Sequence, residues 1–357
     1  MKKENRLVHI VEPLLVWYKK NQKELPWRVD ATPYHVWISE IMLQQTRTAA
    51  VIPYYKRFLY ELPTVSALAA VSDDRLMKLW EGLGYYSRAR NLKRSAEMLM
   101  ASYAGALPDT AEELKKLPGI GEYTAGAIAS IAFGRPEPAV DGNVLRVVMR
   151  FLGCTDDIAL PATKKQVTDA LRTVYPSGAD AGNLTQAIME LGENICIPNG
   201  LPKCESCPLF RQCEAGLSSR AEEFPVKSPK KARRREELTV FLLSCRGYYA
   251  IQKRPNRGLL AGLWEFPNIS GKFTPEEAAI YIRNLGTEVL SCGICGNAVH
   301  IFTHVEWHMT GYLAECVTPL NAFTWESAKT IRTHYAIPTA LRAYLEIMEQ
   351  DAEEKNH

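Results

Sequence analysis

The stretch Leu117-Pro118-Gly119-Ile120-Gly121, followed by Tyr123-Thr124-Ala125, decides the fold of the N-terminal part of this 357-residue chain. It lies between two segments with helical apolar spacing. Its two glycines, two positions apart, let a tight turn expose backbone N–H groups, and the next helix adds the positive end of its dipole. The pattern predicts a hairpin that binds a phosphate, although a plain helix–helix turn could carry the same glycines.

Further segments with helical apolar spacing surround this hairpin, separated by short loops rich in Gly and Pro. The predicted helices lie near residues 34–49, 64–70, 73–81, 88–103, 111–116, 122–133, 143–152, 163–174 and 180–195. An amphipathic helix is also predicted at the N-terminus, where Leu7, Ile10, Leu14 and Leu15 follow helical spacing. Residues 1–219 are therefore predicted to form an all-α domain.

The pattern changes after residue 237. Two β-rich runs flank Arg246-Gly247, which predicts a hairpin. The predicted strands are 238–245, 248–253, 297–304 and 309–317, and the predicted helices are 275–285 and 336–349. We therefore predict a multidomain chain with a helical domain (1–219), a basic linker (220–237) and a smaller α+β domain (238–357).

The net charge of +3 is too small to indicate a nucleic-acid partner by itself. The basic residues of the linker are Lys227, Lys230, Lys231, Arg233, Arg234 and Arg235. Such a block is usually a solvated linker, and only sometimes a phosphate-binding arm. No stretch approaches the roughly 18 apolar residues that a membrane span needs. The chain is predicted to be soluble and intracellular, in the cytoplasm.

Four cysteines fall close together after the last predicted helix of the first domain, at Cys196, Cys204, Cys207 and Cys213. Seven, two and five residues separate them. Four thiolates at such spacing can hold either a [4Fe–4S] cluster or a structural zinc ion, and spacing alone leaves both open. Disulfides are disfavoured because nothing indicates an oxidising compartment. Four unrelated buried cysteines are the remaining alternative.

Asp141 stands at the predicted start of a helix, in Val140-Asp141-Gly142-Asn143-Val144. At the N-cap, the orphan N–H groups and the positive dipole end favour a carboxylate anion. As a cap alone, Asp141 would stabilise the helix by about 1 kcal/mol. A carboxylate held there could also stabilise a cation that forms during bond cleavage.

Glu40 lies in a predicted helix that is mostly apolar, Trp37-Ile38-Ser39-Glu40-Ile41-Met42-Leu43. Desolvation among such neighbours raises the pKa of a carboxyl group, which suits a general acid. It could instead be an exposed charge on a polar face. Together, Glu40 and Asp141 provide the acid and the anion that cleavage of a glycosidic bond requires.

Several motifs resemble the MutY-type adenine DNA glycosylases, which are helix–hairpin–helix base-excision enzymes with a Nudix-like C-terminal domain. The matching motifs are the hairpin at 117–125, Leu25-Pro26-Trp27-Arg28, the Glu40 helix ending Leu43-Gln44-Gln45-Thr46, Gly82-Leu83-Gly84-Tyr85-Tyr86-Ser87, Val140-Asp141-Gly142-Asn143-Val144, the cysteine loop and Gly258-Leu259-Leu260-Ala261-Gly262-Leu263-Trp264. The resemblance covers residues 8 to about 340. It implies an all-α glycosylase domain with a [4Fe–4S] cluster loop, followed by an α+β recognition domain.

The resemblance also implies a function. The family flips adenine mispaired with 8-oxoguanine out of duplex DNA and releases it by hydrolysis. Glu40 would protonate adenine N7, and Asp141 would stabilise the sugar cation, with Tyr123 and Asn143 assisting. The implied substrate contacts are the base pocket of Trp27, Arg28, Leu43, Gln186 and Glu190; the wedges Gln45 and Tyr85; Thr46 and Leu83 near 8-oxoguanine; Gly119 and Gly121 at a phosphate; and the loop Phe302, Thr303 and His304.

Tyr123 separates two chemistries within the superfamily. Endonuclease III-like relatives have a lysine at this place that attacks the sugar and cuts the strand, whereas tyrosine cannot form a Schiff base. The resemblance therefore implies a monofunctional glycosylase that leaves an abasic site. The protein is separately expected to be a monomer. An endonuclease III-like lyase, or a non-catalytic DNA-binding or electron-transfer Fe–S protein, are the alternatives.

The sequence departs from the family in two places. The first cysteine gap is seven residues where six is usual, so residues 197–203 carry a one-residue insertion. Thr303 replaces a serine in the recognition loop and keeps its hydroxyl group. In addition, the second domain lacks the carboxylate cluster of a Nudix hydrolase, so nucleotide hydrolysis is not predicted. Cys292, Cys295, His300 and His308 are interpreted as ordinary residues without a metal.

Overall fold

A computed structural model describes residues 6–229 and 232–355. Lys230 and Lys231 of the predicted basic linker lie outside the described residues. The described residues form two compact units: one contains residues 6–70 and 91–229, and the other contains residues 71–90 and 232–355. The segment Val71–Arg90 was predicted as part of the helical domain, but its contacts group it with the C-terminal unit.

The first unit is built from helices, in agreement with the sequence pattern. In chain order, the helices up to residue 217 are α1 (Val8–Asn21), α2 (Pro26–Val29), α3 (Pro33–Leu43), α4 (Thr48–Glu61), α5 (Val65–Ala70), α6 (Asp73–Trp80), α7 (Ser87–Ser102), α8 (Ala111–Leu114), α9 (Glu122–Phe133), α10 (Gly142–Leu152), α11 (Pro161–Arg172), α12 (Ala179–Asn194) and α13 (Glu214–Leu217). Of these, α6 and the first four residues of α7 belong to the other unit. No described helix is both long and apolar enough to cross a membrane.

Small residues allow the central helices of this unit to approach closely. A Cβ atom on Gly126 of α9 would lie 2.4 Å from the carbonyl oxygen of Pro138, and one on Gly182 of α12 would lie 2.8 Å from Cα of Ile131. Close backbone approach of this kind requires glycine. The core that results includes most of α10, whose residues from Val144 onward are all buried. It positions the N-terminal end of α10.

The second unit contains a seven-stranded mixed sheet. Its elements are β1 (Arg234–Cys245), β2 (Tyr248–Lys253), β3 (Trp264–Glu265), β4 (Asn268–Ser270), α14 (Pro275–Asn284), β5 (Val289–Ile301), β6 (Val305–Cys316), β7 (Thr324–Ser327), α15 (Ala328–His334) and α16 (Arg342–Glu354). The order is β3-β2-β1-β6-β5, with β4 beside β1 and β7 beside β2. The β1–β6 pair is parallel and the other pairs are antiparallel.

Alternation along β1 places apolar residues on both faces of this sheet, as period-two geometry requires. Val240 and Leu242 belong to one hydrophobic core, and Phe241 and Leu243 belong to the other. The predicted hairpin at Arg246-Gly247 is confirmed, since Cys245 pairs with Tyr248 across a two-residue turn. Both turn residues have positive φ, as a type I′ turn needs.

Candidate active site

A cavity of about 440 Å³ opens in the helical unit, where α2, α3, α9, α12 and the start of α10 meet. Ten of the predicted site residues line it: Trp27, Arg28, Glu40, Leu43, Thr46, Tyr123, Asp141, Asn143, Gln186 and Glu190. These residues are spread over most of the unit in sequence. Folding therefore brings the predicted acid, anion and base-pocket residues to one place.

Glu40 lies on α3 and is 6% exposed. The Tyr123 hydroxyl donates a hydrogen bond of 3.0 Å to its Oε2 atom. Burial raises the pKa of Glu40 to about 7, outweighing the hydrogen bond from Tyr123, while the charge of Asp141 raises it further and that of Arg28 lowers it. A carboxyl group with this pKa holds a proton in part of the population at neutral pH, so it can act as an acid.

Asp141 is the N-cap of α10, as predicted. Its Oδ1 atom accepts from the backbone N–H of Val144 at 2.8 Å, and its Oδ2 atom accepts from the Asn143 amide at 2.9 Å. The pKa of Asp141 is raised overall, because burial outweighs these hydrogen bonds and the charge of Arg146, which lower it. The donors on both carboxylate oxygens therefore offset part of the cost of burying the anion.

Arg28 organises the part of the cavity predicted to bind a base. Its Nε atom donates to Oε1 of Gln186 at 2.7 Å, and its Nη1 atom forms an ion pair with Glu190. Glu190 is buried, and its Oε2 atom has no hydrogen-bond partner among the described residues. Trp27 is buried and packs edge-on against Tyr55. The wall therefore combines an aromatic surface with a fixed set of polar groups.

Helix α3 ends at Leu43, earlier than the predicted 34–49 helix, and the chain then turns sharply. Gln45 adopts a left-handed backbone conformation with φ of 58° and is exposed. Thr46 closes the turn, because its N–H donates to the carbonyl oxygen of Leu43 at 3.2 Å. A non-glycine residue in this region stores strain, and such strain is concentrated at functional sites.

The predicted hairpin is present between α8 and α9. Gly119 has φ of 79°, and a Cβ atom there would lie 2.7 Å from Cβ of Asn91, so only glycine fits. Gly121 is the N-cap of α9; it makes no side-chain cap, and a Cβ atom there would meet nothing within 4 Å. The first turn of α9 thus offers backbone donors on an open surface, which is the geometry that binds a phosphate.

In the C-terminal unit, Tyr85 is 47% exposed and has φ of 47°. Its hydroxyl lies 3.0 Å from Oγ1 of Thr303, so the predicted wedge and the predicted recognition loop are hydrogen-bonded to each other. Arg88 supports this segment by donating to the carbonyl oxygens of Leu83 and Gly84. Leu83 itself is 7% exposed and offers little surface.

Aromatic side chains and two backbone carbonyl contacts hold the predicted recognition loop, Phe302 to His304. Phe302 packs edge-on against His300 and Trp307, with ring centroids 4.5 and 4.9 Å apart. The carbonyl oxygen of His304 accepts from the backbone N–H of Arg234, and Arg233 donates to that of Phe302. These two arginines of the predicted linker therefore brace the loop.

Cys196, Cys204, Cys207 and Cys213 line one small cavity together with Arg150, which donates to the Cys196 sulfur at 3.3 Å. In residues 6–229 and 232–355 no three His, Cys, Asp or Glu side chains converge tightly enough for a single metal ion. Zinc would need four sulfurs each about 2.3 Å from one point. Four thiols that line one cavity are the donor set that either a structural zinc ion or a [4Fe–4S] cluster takes.

The seven-residue gap after Cys196 is accommodated in a closed loop. The N–H of Lys203 donates to the carbonyl oxygen of Ile195 at 3.0 Å, which brings both ends of the loop together. Asn199, Gly200 and Leu201 at its tip are exposed. A loop closed at its base and exposed at its tip has room for an extra residue.

Sequence analysis missed two residues, Arg146 and Met189, that contact the predicted site residues Asn143 and Tyr123. Arg146 donates to Oδ1 of Asn143 at 2.9 Å and to the carbonyl oxygen of Cys196 at 2.7 Å, so it lies between the cysteine loop and the partner of Asp141. Met189 receives a longer contact, 3.7 Å, from the Tyr123 hydroxyl. The spacing of Asn143 and Arg146, three residues apart on one helix, was the available signal.

Two family models match the chain. Residues 38–177 match the HhH-GPD superfamily of base excision DNA repair proteins, and residues 239–347 match the NUDIX domain. The first range includes Glu40, Tyr123 and Asp141 but ends before α12, and the second covers most of the sheet of the C-terminal unit. They agree with the predicted combination of a helix–hairpin–helix glycosylase domain and a Nudix-like domain.

Curated relatives match over most of the chain. The adenine DNA glycosylase of Buchnera aphidicola subsp. Acyrthosiphon pisum (strain APS) is 32% identical over 340 residues, covering 93% of this chain and 95% of that protein. The adenine DNA glycosylase of Homo sapiens is 33% identical over 413 residues, covering 93% and 73%. A non-covalent endonuclease III–DNA complex is 28% identical, with a TM-score of 0.52, over 61% of this chain and 99% of that one.

Proposed function

Because the chain belongs to the adenine DNA glycosylase family, we propose that it removes adenine mispaired with 8-oxoguanine, or with guanine, from duplex DNA. The relatives support the broader statement directly: this is a DNA N-glycosylase of base excision repair that binds DNA. The identity of the mispair, the residues that act and the action as a monomer belong to the proposal. We infer that the enzyme works inside the cell, at the chromosome.

One observation carries the mechanism: Glu40, Tyr123 and Asp141 line one cavity, and the pKa of Glu40 is raised to about 7 by burial. Glu40 donates its proton to N7 of the flipped adenine, which makes the base a neutral leaving group. The anion of Asp141 stabilises the sugar cation that forms as the bond to N9 breaks, and a water molecule completes the hydrolysis. Asn143 orients Asp141 through the hydrogen bond to Oδ2.

The base pocket accounts for the choice of substrate. Trp27 and Leu43 supply apolar walls for the flipped adenine, and Gln186 and Glu190 supply polar groups at its edge. Arg28 fixes both polar side chains, so their positions are set before the base arrives. A pocket whose polar groups are already in place rejects a base that cannot pair with them, because they would be left buried and unpaired.

We propose that Gln45, Thr46, Leu83, Tyr85 and the loop of Phe302, Thr303 and His304 contact the DNA around 8-oxoguanine. Gln45 and Tyr85, both in strained left-handed conformations, enter the stack, and Thr46 and Leu83 lie along the opposing strand. The loop of Phe302, Thr303 and His304 contacts the damaged base. The hydrogen bond between Tyr85 and Thr303 supports this assignment, because it joins the wedge to the loop. Thr303 keeps the hydroxyl group that such a contact requires.

Incubation with a labelled duplex that carries one 8-oxoguanine·adenine pair tests the activity. Since Tyr123 cannot form a Schiff base, we expect strand breaks only after hot alkali, because the enzyme leaves an intact abasic site. Breaks without alkali would identify a lyase of the endonuclease III type. A duplex with guanine opposite adenine should react more slowly, and a thymine·adenine duplex should not react.

The same duplexes distinguish the remaining alternative. If DNA is bound but adenine is released from none of them, the chain is a lesion-binding protein, and Glu40 and Asp141 return to structural roles. If the thymine·adenine duplex reacts as fast as the 8-oxoguanine·adenine duplex, recognition of the damaged base is wrong while the glycosylase activity stands.

We propose that Cys196, Cys204, Cys207 and Cys213 hold a [4Fe–4S] cluster. The support comes from the cavity that they line and from Arg150, whose positive charge suits a cluster that carries a net negative charge with its thiolates. The four thiolates would hold the cluster, which would then supply a crosslink for the loop after α12. Arg150 also donates to the carbonyl oxygens of Ile197, Ala221 and Phe224, so it ties the loop to α10.

The cluster predicts a defined metal content. Protein purified without oxygen should contain about four iron atoms and four acid-labile sulfides per chain. Replacing Cys204 by serine should lower both values together, whereas replacing Cys154, which lies outside the cavity, should leave them unchanged. One zinc atom per chain in place of iron would contradict the proposal.

A further inference from the structure

Gln44, the residue before the strained Gln45, contacts the helix that follows the hairpin. Its Nε2 atom donates to Oγ1 of Thr124 at 3.1 Å. Thr124 lies in the first turn of α9, directly after Tyr123, and is 2% exposed. The two residues are eighty positions apart in sequence, so this hydrogen bond joins the turn after α3 to the start of α9.

Two local contacts close the turn after α3. Its backbone is closed by the bond from the Thr46 N–H to the Leu43 carbonyl oxygen, and the Thr46 hydroxyl lies 3.4 Å from the carbonyl oxygen of Gln44. Both contacts lie within the turn, whereas the hydrogen bond from Gln44 to Thr124 reaches another helix. A left-handed residue such as Gln45 persists only where surrounding contacts determine it.

The other end of the hydrogen bond is well anchored. Helix α9 begins at the hairpin, where Ser95 donates to the carbonyl oxygen of Pro118 at 2.8 Å and Asn91 packs against Gly119. Helices α3 and α9 also carry Glu40 and Tyr123, which bond to each other. The Gln44–Thr124 hydrogen bond therefore joins two helix ends that carry three predicted site features: Gln45, the Glu40–Tyr123 pair and the hairpin at 117–121.

We propose that Gln44, through Thr124, is a positioning residue that holds Gln45 at a fixed place relative to the hairpin, so that contact with the DNA backbone and entry of the wedge occur together. This inference rests on the proposed function, because it assigns Gln45 to the DNA stack. Gln44 and Thr124 need not touch the adenine. They act while the adenine leaves the DNA duplex, when the side chain of Gln45 must fill the space that the base vacates.

Replacing Thr124 by valine or by serine tests the proposal. Valine keeps the volume and branching of the buried side chain but removes the hydroxyl acceptor, and serine keeps the acceptor. Single-turnover adenine release is measured on two duplexes, one with 8-oxoguanine opposite adenine and one with a stable abasic-site analogue opposite adenine. The second duplex has no base pair to break, so extrusion costs less there.

For Thr124→Val we expect a rate reduction of about fivefold on the paired duplex, the effect of one lost hydrogen bond, and less than about twofold on the unpaired one. Thr124→Ser should match the wild type on both, and the melting temperature should change little. Equal losses on both duplexes, an unchanged rate on the paired one, or a serine variant as slow as the valine variant would each overturn the proposal. Failure of the proposed function itself would be visible separately, as a wild-type protein inactive on both duplexes.

Discussion

Asp141→Asn is expected to lower the rate of adenine release on the order of 10³-fold, while binding to the mispaired duplex persists. Asparagine is as good an N-cap as aspartate, and its carbonyl oxygen can still accept from Val144. The substitution removes only the negative charge beside the sugar and places an amide against the Asn143 donor. Single-turnover kinetics and a gel-shift measurement on the same duplex separate the two effects.

A matched control isolates the capping role. Thr110 caps α8 with the same geometry, accepting from the N–H of Glu113, and does not line the cavity. Thr110→Asn should leave the rate unchanged and the melting temperature within a few degrees of the wild type. If Asp141→Asn behaves like this control and keeps more than about a tenth of the activity, Asp141 is a cap and the mechanism is wrong.

Glu40→Gln is expected to abolish adenine release and to stabilise the folded protein above neutral pH. Folding raises the pKa of Glu40 from its ordinary 4.5 to about 7. Between these values the folded protein holds a proton that the unfolded chain has released, so stability falls as the pH rises from about 4.5 to about 7. The accumulated loss is on the order of 3 kcal/mol, which glutamine avoids.

Two measurements as a function of pH check this result: the rate of adenine release and the melting temperature. The wild-type rate of the chemical step should fall roughly tenfold per pH unit above about pH 7, as the acid loses its proton. The melting temperature of Glu40→Gln should match that of the wild type near pH 4.5 and exceed it increasingly up to pH 7. Glu97→Gln, at an exposed site on α7, should change neither profile. A Glu40→Gln variant that is no more stable than the wild type at pH 8 would contradict the raised pKa.

The main parts of the site were predictable because each has a local chemical signature. Asp141 caps α10 as its position before Gly142 and Asn143 indicated. Glu40 is buried as its apolar neighbours indicated. The hairpin at 117–121 forms because Gly119 alone can adopt the conformation that the turn requires. In each case the determinant lies within a few residues of the feature that it produces.

The features that were missed depend on contacts distant in sequence. The helix predicted over 34–49 ends at Leu43, where the Thr46 N–H bonds back to the Leu43 carbonyl oxygen and the Gln44 side chain bonds to Thr124, eighty residues away. Strand β5 begins at Val289, well before the predicted start at 297, since pairing with β6 overrides the weak strand preference of Gly and Asn within it. Short strands such as β4 and β7 exist only through their neighbours.

The grouping of Val71–Arg90 with the sheet changes how this chain can be taken apart. Asp74 bonds to Lys253 and Trp264, Lys78 donates to the carbonyl oxygens of Arg332 and Tyr335, and Glu81 accepts from the N–H of Ile337. Cutting the chain between residues 229 and 232 would therefore strip the sheet of a packed segment and leave that segment without its partners. Exchanging the C-terminal sequence with that of a relative at this position would therefore transfer an incomplete unit. A chimera that keeps the unit whole has to carry residues 71–90 together with the C-terminal sequence.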